Sequence, residues 1–289
     1  MRGWWRDLTD LVLPTECGGC GRPRTVLCRE CRAALSGTAP CRVRPLPEPP
    51  GLPAVHAAAP YTDEVRATLL AHKERGVLAL SGPLGAALAG AVRAGLRAGL
   101  TADCGVRVGP GTRADRGAGA PVLLVPVPSA RSAVRARGHD PARRIALAAA
   151  GELRRSGTPA RVLAVLRQRR AVADQSGLNS RQRMNNLAGA LEVAAGSARL
   201  LLGGPVVLVD DLMTTGASLR EAARALNAAV YGAETREEMG ERKIGTGWKG
   251  ANSVYRAPEV ASVRHAREVI CAAVVAAPPD SFAINRNWQ

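Results

Sequence analysis

No stretch of this sequence approaches the roughly 20 consecutive apolar residues that a membrane-spanning helix requires. The opening MRGWWRDLTDLVLP carries Arg2, Arg6, Asp7 and Asp10, so it lacks the apolar core of a secretory signal. Both absences lead to the expectation of a cytoplasmic chain without membrane insertion. Seven cysteines there are metal ligands or buried thiols before they are disulfides. A Walker-type phosphate loop, GxxxxGK[ST], is also missing, which excludes that mode of nucleotide binding. Lysine is nearly absent: of 40 basic side chains, only Lys73, Lys243 and Lys249 are lysine. The net charge of +16 therefore comes from scattered arginines, in a chain also rich in alanine and glycine, and looks more like a coding bias than a nucleic-acid footprint.

What is present is enough apolar sequence, 46% of 289 residues, for one full domain and a small appendage. The Pro-rich run RVRPLPEPPGLPA (42–54) marks a boundary. It divides the chain into a metal-binding module over 1–45, a linker over 46–56 and a main domain over 57–289. In the main domain, apolar runs at 121–128, 160–168, 205–211 and 270–279 read as strands. Helical spacing covers 63–76, 83–100, 142–157 and 218–229. This alternation predicts an α/β fold with a parallel sheet covered on both faces. Residues 231–267 form an atypical insertion, polar, Gly-rich and long for a loop, holding Tyr231, Trp248 and Tyr255 of only eight aromatic residues. It reads as a surface excursion, with a stacking arm for a nucleic acid as the sharper alternative.

Cys17-x2-Cys20-x7-Cys28-x2-Cys31 is a pair of CxxC knuckles, and four thiolates suit tetrahedral Zn²⁺. With all four positions taken by protein, such a metal is structural; redox CxxC chemistry is the alternative, but a thioredoxin-like site needs its CxxC at a helix start after a strand. Cys41, Cys104 and Cys271 have no CxxC partner and read as ordinary thiols.

The most specific stretch is VVLVDDLMTTGAS (206–218), in which a strand runs into two carboxylates and then a hydroxyl-rich helix start. Asp210 and Asp211 repel a phosphate set directly on them but accept hydrogen bonds from a vicinal diol. Thr214, Thr215, Gly216, Ala217 and Ser218 offer backbone N–H groups and hydroxyls to a phosphate monoester. A ribose 5-phosphate meets both demands. The stretch resembles the phosphoribosyl-pyrophosphate (PRPP) signature of type I phosphoribosyltransferases. In that chemistry the aspartates stabilise an oxocarbenium-like centre while Mg²⁺ and basic groups neutralise the departing pyrophosphate.

Three further segments fit. After the strand at 121–128 come Ser129, Arg131, Arg137 and Gly138, where a pyrophosphate loop belongs. The polar stretch 173–193 reads as a mobile flap in which Gln175, Arg183 and Asn186 close over the site. Residues 60–76 supply Tyr61, His72 and Lys73, the last being the lone lysine of the first 242 residues. The two histidines His72 and His139 are either acid/base groups or, more simply, surface or structural ones.

Taken together, the double CxxC, Tyr61 with Lys73 and Gly76, PVPxxxxxxxxRG from Pro126 to Gly138, QxxLxxxxRxxN from Gln175 to Asn186, and VDDxxTTGAS resemble the ComF family. These are phosphoribosyltransferase-like proteins associated with competence. The resemblance implies a type I phosphoribosyltransferase-like doubly wound sheet with a zinc-ribbon head. It also implies PRPP or a nucleotide-like ligand with Mg²⁺, and partners in a DNA-uptake helicase and single-stranded DNA. Glycosyl transfer to a nitrogen acceptor is the implied activity; a catalytically silent PRPP-binding regulator or a DNA-uptake accessory protein is the alternative. The chain departs from the family in reading Arg137-Gly138-His139-Asp140-Pro141 where RGFNQ is usual. It also has a solitary Cys41, Leu191 in place of an aromatic residue, and the 231–267 insertion.

Overall fold

The structure, a computed structural model, describes residues 16–102, 119–170, 180–244 and 271–286. Its centre is a six-stranded mixed sheet ordered β1-β2-β8-β7-β3-β4. The strands are β1 (Cys41–Val43), β2 (Val55–Pro60), β3 (Val122–Pro126), β4 (Ala160–Val162), β7 (Val206–Leu212) and β8 (Cys271–Ala277). β1 pairs antiparallel with β2 at one edge, and the remaining five strands are parallel. β3, β7 and β8 are nearly continuous apolar runs because parallel strands in such a sheet are covered on both faces. Their side chains alternate between two cores. Leu124, Val207, Val209, Ala273 and Val275 join one, with α3 and α5; Leu123, Val125, Leu208, Ala272 and Val274 join the other, with α7.

The helices are α1 (Arg29–Ser36), α2 (Asp63–Lys73), α3 (Ser81–Ala102), α4 (Arg131–Arg137), α5 (Pro141–Arg155), α6 (Ser180–Leu187) and α7 (Ala217–Ile244). By length and composition Leu78–Gly99 could cross a membrane, but half of it is buried inside the protein, where α3 packs on α5 and the sheet. Among the described residues, the four-cysteine module is not a free head. Cys17, Leu27, Cys28, Cys31 and Leu35 share one core with Val65, Leu69 and Ala71 of α2.

Two expectations are corrected. The apolar run 160–168 is not one strand: β4 stops at Val162, the Leu163 amide donates to the Leu124 carbonyl, and β5 (Leu166–Gln168) leaves to pair antiparallel with β6 (Leu191–Val193) in a separate small sheet. Nine mostly apolar residues carry no mark of a bend when both halves are pleated. The helix expected over 218–229 continues to Ile244, so the first 14 residues of the supposed loop-like insertion are helical. Good helix formers there (Ala233, Glu234, Arg236, Glu237, Glu238, Met239) outweigh two glycines. Trp248 and Tyr255, like Cys104 and Gln175, lie outside the described residues.

The topology fixes where a ligand site belongs. From β3 the chain moves outward to β4, whereas from β7 it moves outward to β8 on the other flank. Connections that leave neighbouring strands in opposite directions open a crevice at the carboxyl ends, here between β3 and β7.

Candidate functional site: a diacid, a helix start and a four-cysteine cluster

β7 delivers Asp210 and Asp211 to that carboxyl edge. Asp211 is 7% exposed, and its amide donates to Asp210 Oδ1 at 2.8 Å. Burial and the neighbouring Asp211 carboxylate push Asp210 well above the ordinary carboxylate range, against the pull of Lys73. Lys73 answers the charge. Its Nζ stands 3.0 Å from Asp211 Oδ2, and the Asp211 carboxylate raises the ammonium above its ordinary value despite burial. This contact spans the edge: α2 starts just past the end of β2 and ends with Lys73 on β7, two strands away in the sheet.

Beyond the diacid the chain turns into α7. Gly216 has φ +75°, the left-handed region that glycine enters without a Cβ penalty. Its carbonyl accepts the first helical bond, from the Arg220 amide at 2.9 Å, and Thr215 Oγ1 accepts from the Ala217 amide at 3.5 Å. The first amides of a helix have no partner within it, so this start presents donors outward. A shallow, solvent-open hollow is lined by Asp210 and by Leu212 through Leu219. One side of the loop is walled by the Pro-rich segment: a Cβ at Gly216 would fall 3.0 Å from Leu52 Cδ2 and 3.4 Å from Pro45 Cγ. Arg220 Nε donates to the Pro50 carbonyl at 2.9 Å, fixing that wall to α7.

The other expected residues fall into two groups. Ser129, Arg131, Arg137 and Gly138 follow β3, on the far side of the crevice. Arg131 is exposed, while Gly138, at φ +75°, closes α4 by donating to the Val134 carbonyl. Arg137 is tied to Glu74: its guanidinium donates through Nε and Nη2 to that carboxylate at 3.0 and 2.9 Å. Arg183 and Asn186 ride on α6, which packs against α7. Arg183 Nε is buried with no hydrogen-bond partner, whereas the Asn186 carbonyl accepts from Arg170 at 2.8 Å.

Neither His72 nor His139 is a surface residue, at 0% and 9% exposed, and their rings lie 5.6 Å apart. Burial holds His72 below the ordinary imidazole value, its Nδ1 lies 3.3 Å from the Val77 carbonyl, and its Nε2 has no partner. Sequence reasoning missed Glu74, Arg75, Glu221 and Arg224. Glu221, 2% exposed, accepts the Leu191 amide and is held by Arg224, which also donates to the Leu191 carbonyl. This pair straps β6 to the helix that begins at the loop. The signal for it was an acid and a base at i, i+3 on a helix, a spacing too common to single out.

The four sulfurs of Cys17, Cys20, Cys28 and Cys31 lie within 4.8 Å of one another, with Cys20 and Cys28 at 3.6 Å. Zn–S bonds of about 2.3 Å at tetrahedral angles place sulfurs about 3.8 Å apart, so this quartet is able to hold an ion such as Zn²⁺. The backbone prepares it. Burial opposes ionisation of Cys17, yet the amides of Cys20, Cys28 and Gly19 outweigh it and bring the thiol down to about 6. Cys31 is pushed up by burial and by the neighbouring thiols, so metal binding has to expel protons from the cluster. Cys271, by contrast, is sealed in β8 and pushed up to about 12 by burial. Comparison with models of known protein families finds no match for this chain, and comparison with curated proteins finds none either.

Proposed function

We propose that this protein binds PRPP with Mg²⁺ as a ComF-like phosphoribosyltransferase, with the fold of that class. The observation that carries the reading is that β7 ends in Asp210–Asp211 and runs directly into a helix start, with Asp210 and residues 212–219 lining one hollow at the carboxyl end of β7. A ribose laid there donates its 2′ and 3′ hydroxyls to the two carboxylates, and its 5′-phosphate rests on the amides from Ala217 onward. As the bond from C1 to pyrophosphate breaks, the aspartates lie close to the positive charge that develops on the sugar. Mg²⁺ carried by the diphosphate supplies charge neutralisation to the leaving group. In this reading Ser129 and Arg131, which follow β3, belong to the pyrophosphate loop, while Gln175, Arg183 and Asn186 belong to the covering flap. The role beside a helicase and single-stranded DNA is part of the same proposal and rests on the family resemblance alone.

A second reading, a PRPP-binding regulator without turnover, is favoured by one contact. Two of the five N–H donors of Arg137 already lie on Glu74, so a pyrophosphate meets a guanidinium whose charge is partly neutralised.

Thermal unfolding with millimolar PRPP and Mg²⁺ tests the binding. The ligand is expected to raise the melting temperature of the wild type and to leave Asp210→Ala/Asp211→Ala unmoved. A wild type indifferent to PRPP refutes both readings. Pyrophosphate release on adding nitrogen acceptors selects the transferase; binding without release across an acceptor panel selects the regulator.

A further inference from the structure

Four consecutive residues at the end of α2 reach four different parts of the protein. The His72 carbonyl lies 3.2 Å from His139 Nε2, in the loop after β3. Lys73 Nζ stands 3.0 Å from Asp211. Glu74 accepts both donors of Arg137. Arg75 Nη2 donates to the Gly18 carbonyl at 3.2 Å. Three of these ties converge on the diacid and its facing loop. The fourth leads to the first cysteine knuckle, since Gly18 follows Cys17 directly.

The knuckle lies on α2 and its following turn with no side chain of its own between them. A Cβ at Gly18 would fall 2.6 Å from Leu80 Cδ1 and 3.4 Å from the Ala71 Cβ. A Cβ at Gly19 would fall 3.1 Å from Thr68 Oγ1 and 2.6 Å from Cys31 Sγ. Backbone therefore touches helix at a position set by the sulfurs. Four cysteines drawn to one ion hold that backbone more tightly; without the ion, the turn at Gly18, Gly19 and Gly21 keeps three backbone hydrogen bonds (Cys17 to Arg22, Gly18 to Val26, Gly21 to Cys17) but loses the link to Cys20, Cys28 and Cys31, and its glycines resist ordering more than other residues do.

We infer that the four-cysteine metal centre positions Lys73. With metal bound, the Gly18 carbonyl anchors Arg75, and the last turn of α2 sets the ammonium on Asp211. Loss of metal frees the knuckle, loosens the turn at 72–75 and withdraws the counter-charge from the diacid. Arg75 is thus a positioning residue that touches neither metal nor ligand. The consequence for PRPP rests on the reading above; the mechanical coupling does not.

The experiment compares three samples: zinc-loaded wild type, wild type after extraction with a chelator, and zinc-loaded Arg75→Met. Hydrogen exchange of peptides covering 63–77 is followed in each, beside a PRPP–Mg²⁺ titration. Extraction is expected to speed exchange across 63–77 about tenfold or more, a shift toward local opening. Arg75→Met is expected to do the same with its zinc retained. PRPP is expected to bind about fivefold or more weakly in both altered samples, the low end of measured coupling between sites. Unchanged exchange over 63–77 in Arg75→Met overturns the inference, and this variant decides alone if extraction unfolds the chain. Should the loaded wild type fail to bind PRPP, the functional reading falls while the exchange data still decide the coupling.

Discussion

Replacing Lys73 with methionine keeps the length and apolar stem of the side chain and removes its charge. In the native protein that charge stands 3.0 Å from Asp211, whose side chain is 10% exposed against 34% for Lys73. At an effective dielectric constant of about 20, unit charges at that distance attract by about 5 kcal/mol before desolvation is counted. Breaking a fully buried pair costs about 3–5 kcal/mol, whereas surface pairs are worth about 0–1. With one partner buried and the other a third open to screening, a loss of about 2 kcal/mol follows. For a domain of this size it lowers the melting temperature by about 4–8 °C. The pH dependence has a definite sign. Asp210 has its folded pKa raised, so the folded state holds its proton longer than the unfolded chain does. Stability from this group therefore falls as pH rises from the ordinary carboxylate range through the folded value. Lys73 opposes that rise, so Lys73→Met steepens the loss. The gap between wild type and variant is expected to be small near pH 4 and widest near pH 8, and to shrink in 0.5 M salt. Urea unfolding across that pH range at two salt concentrations measures it. Equal stability at pH 8, or a gap that widens on acidification, refutes the argument.

Two other outcomes follow from the same edge. Asp210→Asn keeps an oxygen for the Asp211 amide and removes the repulsion, so the ligand-free protein is expected to gain about 1 kcal/mol in unfolding experiments while losing its response to PRPP; a destabilised variant contradicts the direction of the Asp210 shift. Gly216→Ala puts a Cβ at φ +75° and 3.0 Å from Leu52, a cost of about 1–2 kcal/mol from the backbone with the contact added. Leu52→Ala in the same chain is expected to recover the contact part only, so a double-mutant cycle with no coupling shows that the Pro-rich wall does not bear on the loop.

The legible parts of the fold were those with local causes. Val206–Leu212 announces itself as a buried strand by four apolar residues, and the start of α7 by Thr-Thr-Gly at its head. The cysteine knuckles were legible because two close pairs with glycine turns have few other uses. The split between β4 and β5 was hidden because the bend at Leu163–Val165 is made of the same apolar residues as the strands it separates. The mixed character of the sheet was hidden too, since β1 is only three residues long and lies at the start of a run that proline content marks as linker. In the site, Lys73 was singled out by rarity, but nothing in the sequence pairs it with Asp211. Glu74 and Arg75 were passed over because charged residues after a helix ordinarily face water. Their partners, Arg137 and Gly18, are set by how helices fall on the sheet and not by spacing along the chain.

The end of β7 is where this sequence works against its own folding. A chain selected for stability alone has little reason to place two adjacent acids on a strand whose preceding four residues are all buried. Lys73 pairs with one of them; the other accepts the Asp211 amide and is driven toward its protonated form. A bound group that relieves this conflict would account for it, and the charge balance favours one kind of group over another. An anion placed on the aspartates worsens the repulsion, so the group that meets them must donate hydrogen bonds and carry no negative charge of its own. In the proposed reading a phosphate on the same molecule lies further along the chain, at the start of α7, where the first helical amides lack partners within the helix. A neutral polyol bearing a phosphate at one end meets both conditions at once, which is why the electrostatics of Asp210, Asp211 and Lys73 support the proposed sugar-phosphate ligand independently of the sequence resemblance.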